Sequence, residues 1–140
     1  MPIWRTPTTL EAIQGRAHDT MIEHLGIEFM ELGDDFLKAR MPVDHRTKQT
    51  TGILHGGASA TLAETLGSIA ASYCVDREKQ KIVGLELNAN HIRPVTEGWV
   101  TGVAKPIHVG KTTQVWEIRI LNEQEKLVSI ARLTVANVGK

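Results

Sequence analysis

The segment from Thr51 to Val75, TGILHGGASATLAETLGSIAASYCV, limits the fold of this chain more than any other stretch, because Glu64 is its only Asp, Glu, Lys or Arg. From residue 57 to residue 75 it consists mostly of small and apolar residues and contains no proline. The run is longer than a typical strand and long enough for a helix of about five turns. We therefore predict one continuous buried helix over residues 57–75.

Segments rich in Val, Ile, Leu and Thr flank this helix and are separated by turn residues. They predict a hairpin before the helix and four strands after it, over residues 27–32, 36–43, 81–94, 99–109, 114–122 and 126–138. Each strand has one apolar face, as where Trp116, Ile118 and Ile120 alternate with Glu117 and Arg119. The economical arrangement is an α+β fold in which one curved antiparallel sheet is laid over the helix. Short surface helices between Thr8 and Leu25, with Thr8 and Asp19 as caps, are expected to cover an edge or a face.

The composition of the chain excludes several functional classes. The 140 residues suit a single domain spanning 1–140, and the 16 basic and 16 acidic side chains give no net charge that would attract nucleic acid or an anionic membrane. Cys74 is the only cysteine, so we expect no intrachain disulfide and a reducing, cytoplasmic location. No apolar run approaches the length of a signal peptide or a membrane span, and the histidines lack metal-ligand spacing, so we expect a soluble, unprocessed protein without a metal.

Glu64 and the sequence HGG at residues 55–57 form the main candidate site. Burying a carboxylate without a partner is costly, and no Lys or Arg lies within a helical turn of Glu64. Partial desolvation would make it a more reactive anion than in water. The free amides at the helix start, where Gly56 and Gly57 let a ligand approach closely, could stabilise an oxyanion while the carboxylate attacks or activates water. The alternatives are a surface Glu64 and an HGG sequence that is only a cap and a turn.

Other catalytic motifs fail. The sequence GASAT at residues 57–61 lacks the second glycine of a nucleophile elbow. A P-loop that ended in the GKT of residues 110–112 would need glycine at position 105, where this chain has Lys105. These failures favour chemistry performed by a carboxylate and backbone dipoles.

The run GILHGGASATLAETLGS, preceded by MPVDHRTKQ and followed by VGLELNANHIRP, resembles the hotdog-fold acyl-CoA thioesterases. The likeness is greatest to the group that contains 1,4-dihydroxy-2-naphthoyl-CoA hydrolase and the enterobactin-pathway proofreading thioesterase. It covers nearly the whole chain and implies an antiparallel sheet wrapped around one long helix. It also implies dimers with sites at the subunit interface, often paired into tetramers.

The resemblance implies a role for five residues. Glu64 corresponds to the nucleophile or general base, and Gly56 to the amide donor to the thioester oxygen. His55 and Gln49 would orient the thioester or the water, and Ser68 would assist the water. Glu64 of one subunit would face Gln49, His55 and Gly56 of its partner.

The same resemblance implies an acyl-CoA substrate, or an acyl-carrier-protein thioester, and no further cofactor. We expect Gly57 to contact the substrate and Ile69 to tune the acyl pocket, whose acyl group is expected to be aromatic or of medium chain length. The coenzyme A phosphates need local cations on a neutral protein, and the candidate residues near them are His91, Arg93, Gly110 and Lys111. A solvated surface charge is the alternative for each cation.

Two other functions share this fold. A hydroxyacyl-thioester dehydratase would carry a proline-rich stretch after the histidine, whereas this chain has HGGASA. A non-catalytic acyl-CoA binding module would be favoured if Glu64 were replaced, and Glu64 is present.

Overall fold

The computed structural model describes all residues from Met1 to Lys140 as a six-stranded antiparallel sheet that curves around one long helix. The helices are α1 (Leu10–Gly15), α2 (Met21–His24) and α3 (Gly56–Tyr73), and the strands are β1 (Glu28–Leu32), β2 (Leu37–Pro42), β3 (Gln80–His91), β4 (Trp99–Val109), β5 (Thr113–Leu121) and β6 (Leu127–Gly139). The strand order is β1-β2-β4-β5-β6-β3, so β1 and β3 are the edges. The predicted α+β arrangement is confirmed.

The core lies between α3 and the concave face of the sheet. Leu62, Ala63 and Leu66 on α3 are fully buried, as are Trp116 and Ile118 on β5. Gly67 permits this close packing, because a Cβ atom there would lie 2.7 Å from Leu133 Cδ2 on β6. The helix is therefore held against the sheet by one face only, and its opposite face remains open.

The predicted helix and strands are confirmed with small shifts at their ends. The helix occupies residues 56–73 rather than 57–75, because Cys74 is its C-cap. The third strand ends at His91 instead of residue 94, since the chain bends away before Pro94.

The predicted caps of the short N-terminal helices are wrong by one residue each. Thr9 caps α1 and Thr20 caps α2, in place of Thr8 and Asp19. An N-cap needs an extended backbone, and Asp19 has a φ of 61°, which is left-handed. The hydroxyl of Thr9 accepts a hydrogen bond from the Ala12 amide at 3.1 Å.

Candidate active site

The start of α3 presents a free backbone amide. His55 is the N-cap, and its Nδ1 accepts a hydrogen bond from the Gly57 amide at 2.7 Å. Because Nδ1 is the acceptor, the neutral ring carries its proton on Nε2, where it can donate to a ligand. Gly56 is the first residue of the helix, and its amide has no acceptor within the chain.

This amide opens into a cavity of about 440 Å³, which we call the Gly56 cavity. Its polar lining comes from Gln49, Gly56, Ser59, His91 and Arg93. Its apolar lining consists of Ile53, Leu54, Ile92, Pro94 and Val128. Amide and guanidinium donors and the His91 imidazole therefore face one space that could receive a polar ligand.

The side chain of Gln49 is oriented by its own loop. Its Oε1 accepts hydrogen bonds from the amide of Thr51 at 2.7 Å and from the hydroxyl of Thr51 at 2.9 Å. The carbonyl of the buried residue Thr47 accepts from the amide of His55 at 2.8 Å, which fixes this loop to the helix start. The Nε2 group of Gln49 is thus left to donate into the cavity.

His91 on β3 stands directly against the helix start. A Cβ atom on Gly56 would lie 2.7 Å from His91 Nε2, so glycine is required for this approach. Nδ1 of His91 lies 3.1 Å from the Ser129 hydroxyl, which in turn donates to the carbonyl of Asn90 at 3.3 Å. The hydroxyl therefore accepts from Nδ1, which leaves Nε2 of the neutral ring unprotonated.

Glu64 lies in a different place, on the face of α3 that the sheet does not cover. It lines an open cavity of about 420 Å³, the Glu64 cavity, together with Met21, Ile22, Thr61, Thr65, Ser68 and Ile69. The side chain is exposed in the single chain, so the predicted desolvation of this carboxylate is wrong for one chain alone. The physical reason is that α3 buries its opposite face against the sheet. The carboxylate leans toward β3, where a Cβ atom on Gly84 would lie 3.2 Å from its Oε2.

The structure thus divides the predicted site residues into two groups. Gln49, His55, Gly56 and Gly57 cluster at the start of α3, while Glu64, Ser68 and Ile69 face the Glu64 cavity. Glu64 follows Gly56 by eight residues, or about 12 Å along the helix axis. A carbonyl carbon cannot lie within bonding distance of both groups in one chain.

The four residues predicted near coenzyme A also lie in two separate places. His91 and Arg93 line the Gly56 cavity, where one nitrogen of Arg93 donates to the carbonyl of Leu127 at 2.7 Å. Gly110 and Lys111 form the β4–β5 turn, whose carbonyls accept from the side chain of Asn137. On β6, Asn137 follows Ser129, the partner of His91, by eight residues, or about 26 Å of extended chain.

Sequence reasoning missed several residues around these cavities. Ser59, Ser129 and the α2 residues Met21 and Ile22 reach the site through tertiary contacts and have no motif of their own.

No group of three or more His, Cys, Asp or Glu side chains is arranged to hold a metal ion. None of the helices has the length and hydropathy needed to cross a membrane.

Comparisons with known proteins agree with the fold and the motif. The family described as the thioesterase superfamily matches residues 51–129, which include the HGG sequence and Glu64. The 1,4-dihydroxy-2-naphthoyl-CoA hydrolase of Escherichia coli K12 is 52% identical over 134 residues, covering 96% of this chain and 98% of that protein. A proofreading thioesterase of Cronobacter turicensis is 51% identical over 137 residues, covering 98% of this chain and 99% of that protein.

Solved structures extend this agreement to three dimensions. The crystal structure of a mutant thioesterase (Q49A) from Pseudomonas aeruginosa superposes with a TM-score of 0.97 at 47% identity, covering 99% of each chain. The fold and the helix start with its HGG sequence therefore define a hotdog-fold thioester hydrolase. The chain belongs to the thioesterase superfamily, which confirms the resemblance found in the sequence.

Proposed function

We propose that the protein hydrolyses acyl-CoA thioesters in an active site built from two copies of the chain. The observation that carries this proposal is the division of the site into a donor half around Gly56 and a carboxylate half around Glu64. Each half holds what the other lacks. A second copy that places its Glu64 cavity against the Gly56 cavity completes the site.

The donor half suits the carbonyl end of a thioester. The free amide of Gly56 stabilises the negative charge that develops on the thioester oxygen, and the dipole of α3 adds to this effect. The side-chain amide of Gln49 and Nε2–H of His55 orient the thioester or the attacking water. Gly57 leaves the backbone accessible beside them.

The carboxylate half supplies the reacting group. In one route Glu64 attacks the thioester carbon, the C–S bond breaks, and the thiolate of coenzyme A leaves. Water then hydrolyses the mixed anhydride to the free acid and the Glu64 carboxylate, and the proton released from that water converts the thiolate to the thiol. In the other route Glu64 takes a proton from water, which attacks the same carbon directly, and the proton passes to the sulfur as the C–S bond breaks. Ser68, one helical turn beyond, assists the water in either route.

The open edge of β3 supports pairing of two chains. At the opposite edge the side chain of Gln14 blocks β1, because its Oε1 accepts from the Phe29 amide at 2.8 Å and its Nε2 donates to the Ile27 carbonyl at 3.2 Å. The 12 residues of β3 have no comparable cover on their outer side. Unpaired strand edges favour association, so a homodimer along β3, and a dimer of dimers, are proposed as the working assembly.

Pairing also brings together the residues proposed to hold coenzyme A. His91 and Arg93 of one chain and Gly110 and Lys111 of the other would meet the phosphates along one path. An aromatic or medium-chain acyl group would lie beside Ile69, and the name of the Escherichia coli relative, which specifies an aromatic acyl-CoA, supports this class. We propose a cytoplasmic enzyme that needs no cofactor beyond its substrate, with a carrier-protein thioester as a second substrate form.

Complementation between two inactive variants tests this proposal. Gly56→Pro removes the donor amide at the first helical position, where proline is tolerated, and should lower kcat by about 10²–10³-fold. Gly56→Ala is the matched control, since it crowds His91 equally but keeps the amide. Each variant of the pair Gly56→Pro and Glu64→Gln is expected to be inactive alone.

Co-expression of this pair with two affinity tags isolates mixed dimers. If Gly56 and Glu64 act across chains, one of the two sites is intact, and about half of the parent activity returns. If both act within one chain, every mixed site carries a defect and the two-chain site is wrong. A parent protein that hydrolyses no acyl-CoA but binds it would favour the binding module, and dehydration of hydroxyacyl thioesters would favour the dehydratase.

A further inference from the structure

A second cavity continues from the Glu64 cavity along α3. Its volume is about 210 Å³, and it shares Ile22, Ser68 and Ile69 with the Glu64 cavity. Ile13 of α1 and Ile82 of β3 provide apolar walls beyond the shared residues. The space is connected to the carboxylate and has the size of one aromatic ring or a medium-length acyl chain.

Two arginines, Arg16 and Arg77, contribute to the lining of this second cavity, and the guanidinium of Arg77 lies beside Ser72, one helical turn beyond Ser68. Nη1 of Arg77 donates to the Ser72 hydroxyl at 2.7 Å, and its guanidinium carbon lies 4.5 Å from the centre of the Tyr73 ring. These two contacts orient the group and leave most of its N–H donors free. Neither arginine forms an ion pair with a carboxylate of the chain.

An apolar space that ends in unpaired guanidinium groups is unsuited to a purely hydrocarbon group. Arginine donors match the oxygens of a carboxylate, or a phenolic oxygen, with directed hydrogen bonds. Ser72, which holds Arg77, follows Glu64 by eight residues, so the two ends are about 12 Å apart along the helix. Subtracting a hydrogen-bond length at each end leaves about 6 Å, which is room for an acyl group of about six carbons.

We propose that Arg77, with Arg16, selects acyl groups that carry an oxygen acceptor at the end far from the thioester. This inference rests on the proposed function, because it takes Glu64 as the point of attack. The apolar walls contact the middle of the acyl group, and the guanidinium groups contact its oxygen. Arg77 is thus a specificity residue that contacts substrate without taking part in bond breaking.

Matched pairs of substrates test this assignment. Hexanoyl-CoA is compared with the CoA monothioester of hexanedioic acid, which carries a carboxylate at the far end, and benzoyl-CoA is compared with 4-hydroxybenzoyl-CoA. The parent protein should have a higher kcat/KM for the oxygen-bearing member of at least one pair, and the pair that responds identifies carboxylate or phenol. Arg77→Met should reduce this preference about tenfold, mainly through KM, and leave the apolar substrates unaffected.

The control variants separate selection from structural damage. Arg77→Lys keeps a charge and should restore part of the preference. Arg16→Met changes an exposed side chain and should lower the preference. Arg119→Met, on β5, should leave the preference unchanged. Equal preference in the parent and in both Met variants would overturn the proposal while the enzyme still hydrolyses acyl-CoA. Failure of the parent on all four substrates would instead overturn the proposed function, and this inference with it.

Discussion

At the scale of single residues, Glu64 differs most from the rest of α3. It is the only charged residue between Gly56 and Tyr73, and it projects from the face that the sheet leaves open. Its neighbours on that face, Thr61, Thr65 and Ser68, are small and hydroxylic, so they leave space for a ligand. A carboxylate at this position adds nothing to the core, so we assign it a chemical role.

The first prediction concerns this carboxylate. Glu64→Gln preserves the shape and removes the charge, so it should lower kcat by several orders of magnitude with little effect on folding or substrate affinity. Steady-state kinetics on an acyl-CoA panel and thermal unfolding of both proteins measure these two effects. Single-turnover hydrolysis in ¹⁸O-water, followed by mass analysis of the peptide containing residue 64, detects the anhydride route, since only that route can label the carboxylate. Unchanged hydrolysis by Glu64→Gln would remove Glu64 from the mechanism.

A second residue-scale prediction concerns Cys74, the buried C-cap of α3. Burial raises the pKa of its thiol to about 12, above the value of an exposed cysteine. The stabilisation that goes with the protonated thiol is therefore present below about pH 9 and is lost as the pH rises toward 12, because the unfolded chain releases its proton first. The Cys74→Ala variant has no thiol at this position and therefore lacks this pH-dependent contribution to stability.

The free energy of unfolding of the parent, relative to Cys74→Ala, should therefore fall by about 2 kcal/mol between pH 8 and pH 10.5. Urea titrations of both proteins in the presence of a reductant measure the difference at each pH. The difference in unfolding free energy between the two proteins at pH 8 serves as the reference, because it accounts for the packing lost with the sulfur. A difference that does not change with pH would mean that the thiol titrates normally in the folded protein.

At the scale of elements, the end of α3 is capped by the N-terminal segment of residues 3–6. The carbonyl of Tyr73 accepts from the amides of Arg5 and Thr6 at 2.8 and 3.1 Å, and the Thr6 hydroxyl donates to the Val75 carbonyl at 2.7 Å. Trp4 anchors the segment by stacking on Trp116, with ring centroids 6.5 Å apart. No basic residue in the last turn of α3 performs this capping, so a distant part of the chain satisfies the orphan carbonyls.

The third prediction is that Thr6→Val destabilises the protein by about 1–3 kcal/mol, because the Val75 carbonyl loses its donor while the side-chain shape is kept. Thr8→Val is the matched control, since the Thr8 hydroxyl reaches only the Thr9 carbonyl at 3.5 Å. Chemical denaturation of the three proteins gives the comparison. Equal losses of stability in both variants would show that the Thr6 hydrogen bond does not stabilise the protein more than the Thr8 contact does.

At the scale of the whole molecule, the sheet has one blocked edge and one open edge. The amide of Ile92, just after β3, bonds to the Val128 carbonyl on the β6 side, so by alternation the amides of Leu87 and Ala89 point to the open side. Exposed apolar side chains, Val83 and Leu85, lie on the same strand. These features make β3 the edge along which a second copy is expected to pair.

The fourth prediction tests this edge. Ala89→Pro removes an outward amide without removing a bond to β6, so the fold should persist while the dimer dissociates and activity is lost. Ala89→Ser keeps the amide and should behave like the parent. Sedimentation at micromolar concentration, read together with thioesterase activity, measures both effects. A fully active monomer, of the parent or of either variant, would contradict the two-chain site.

The amino-acid sequence by itself determined the helix and the strands, and it singled out the candidate site residues. The long small-residue run predicted α3, and segments rich in apolar and β-branched residues, with alternation and turn signals, predicted all six strands, because these features depend on local pattern alone. Most strand ends and both caps were off by one to three residues. Thr9 and Thr20 act as caps through backbone geometry that composition does not reveal. The HGG sequence and Glu64 were also found from sequence, because unusual residues in an apolar run stand out without a structure.

Only the tertiary structure decided how these residues are distributed in space. It turned Glu64 to the open face of α3, separated it from Gly56, and brought His91 and Ser129 to the helix start from strands far along the chain. It also blocked one sheet edge with Gln14 and placed Arg16 and Arg77 in the lining of one cavity. Such placements follow from which faces pack together over long sequence separations, and packing of this kind leaves no periodic trace in the sequence.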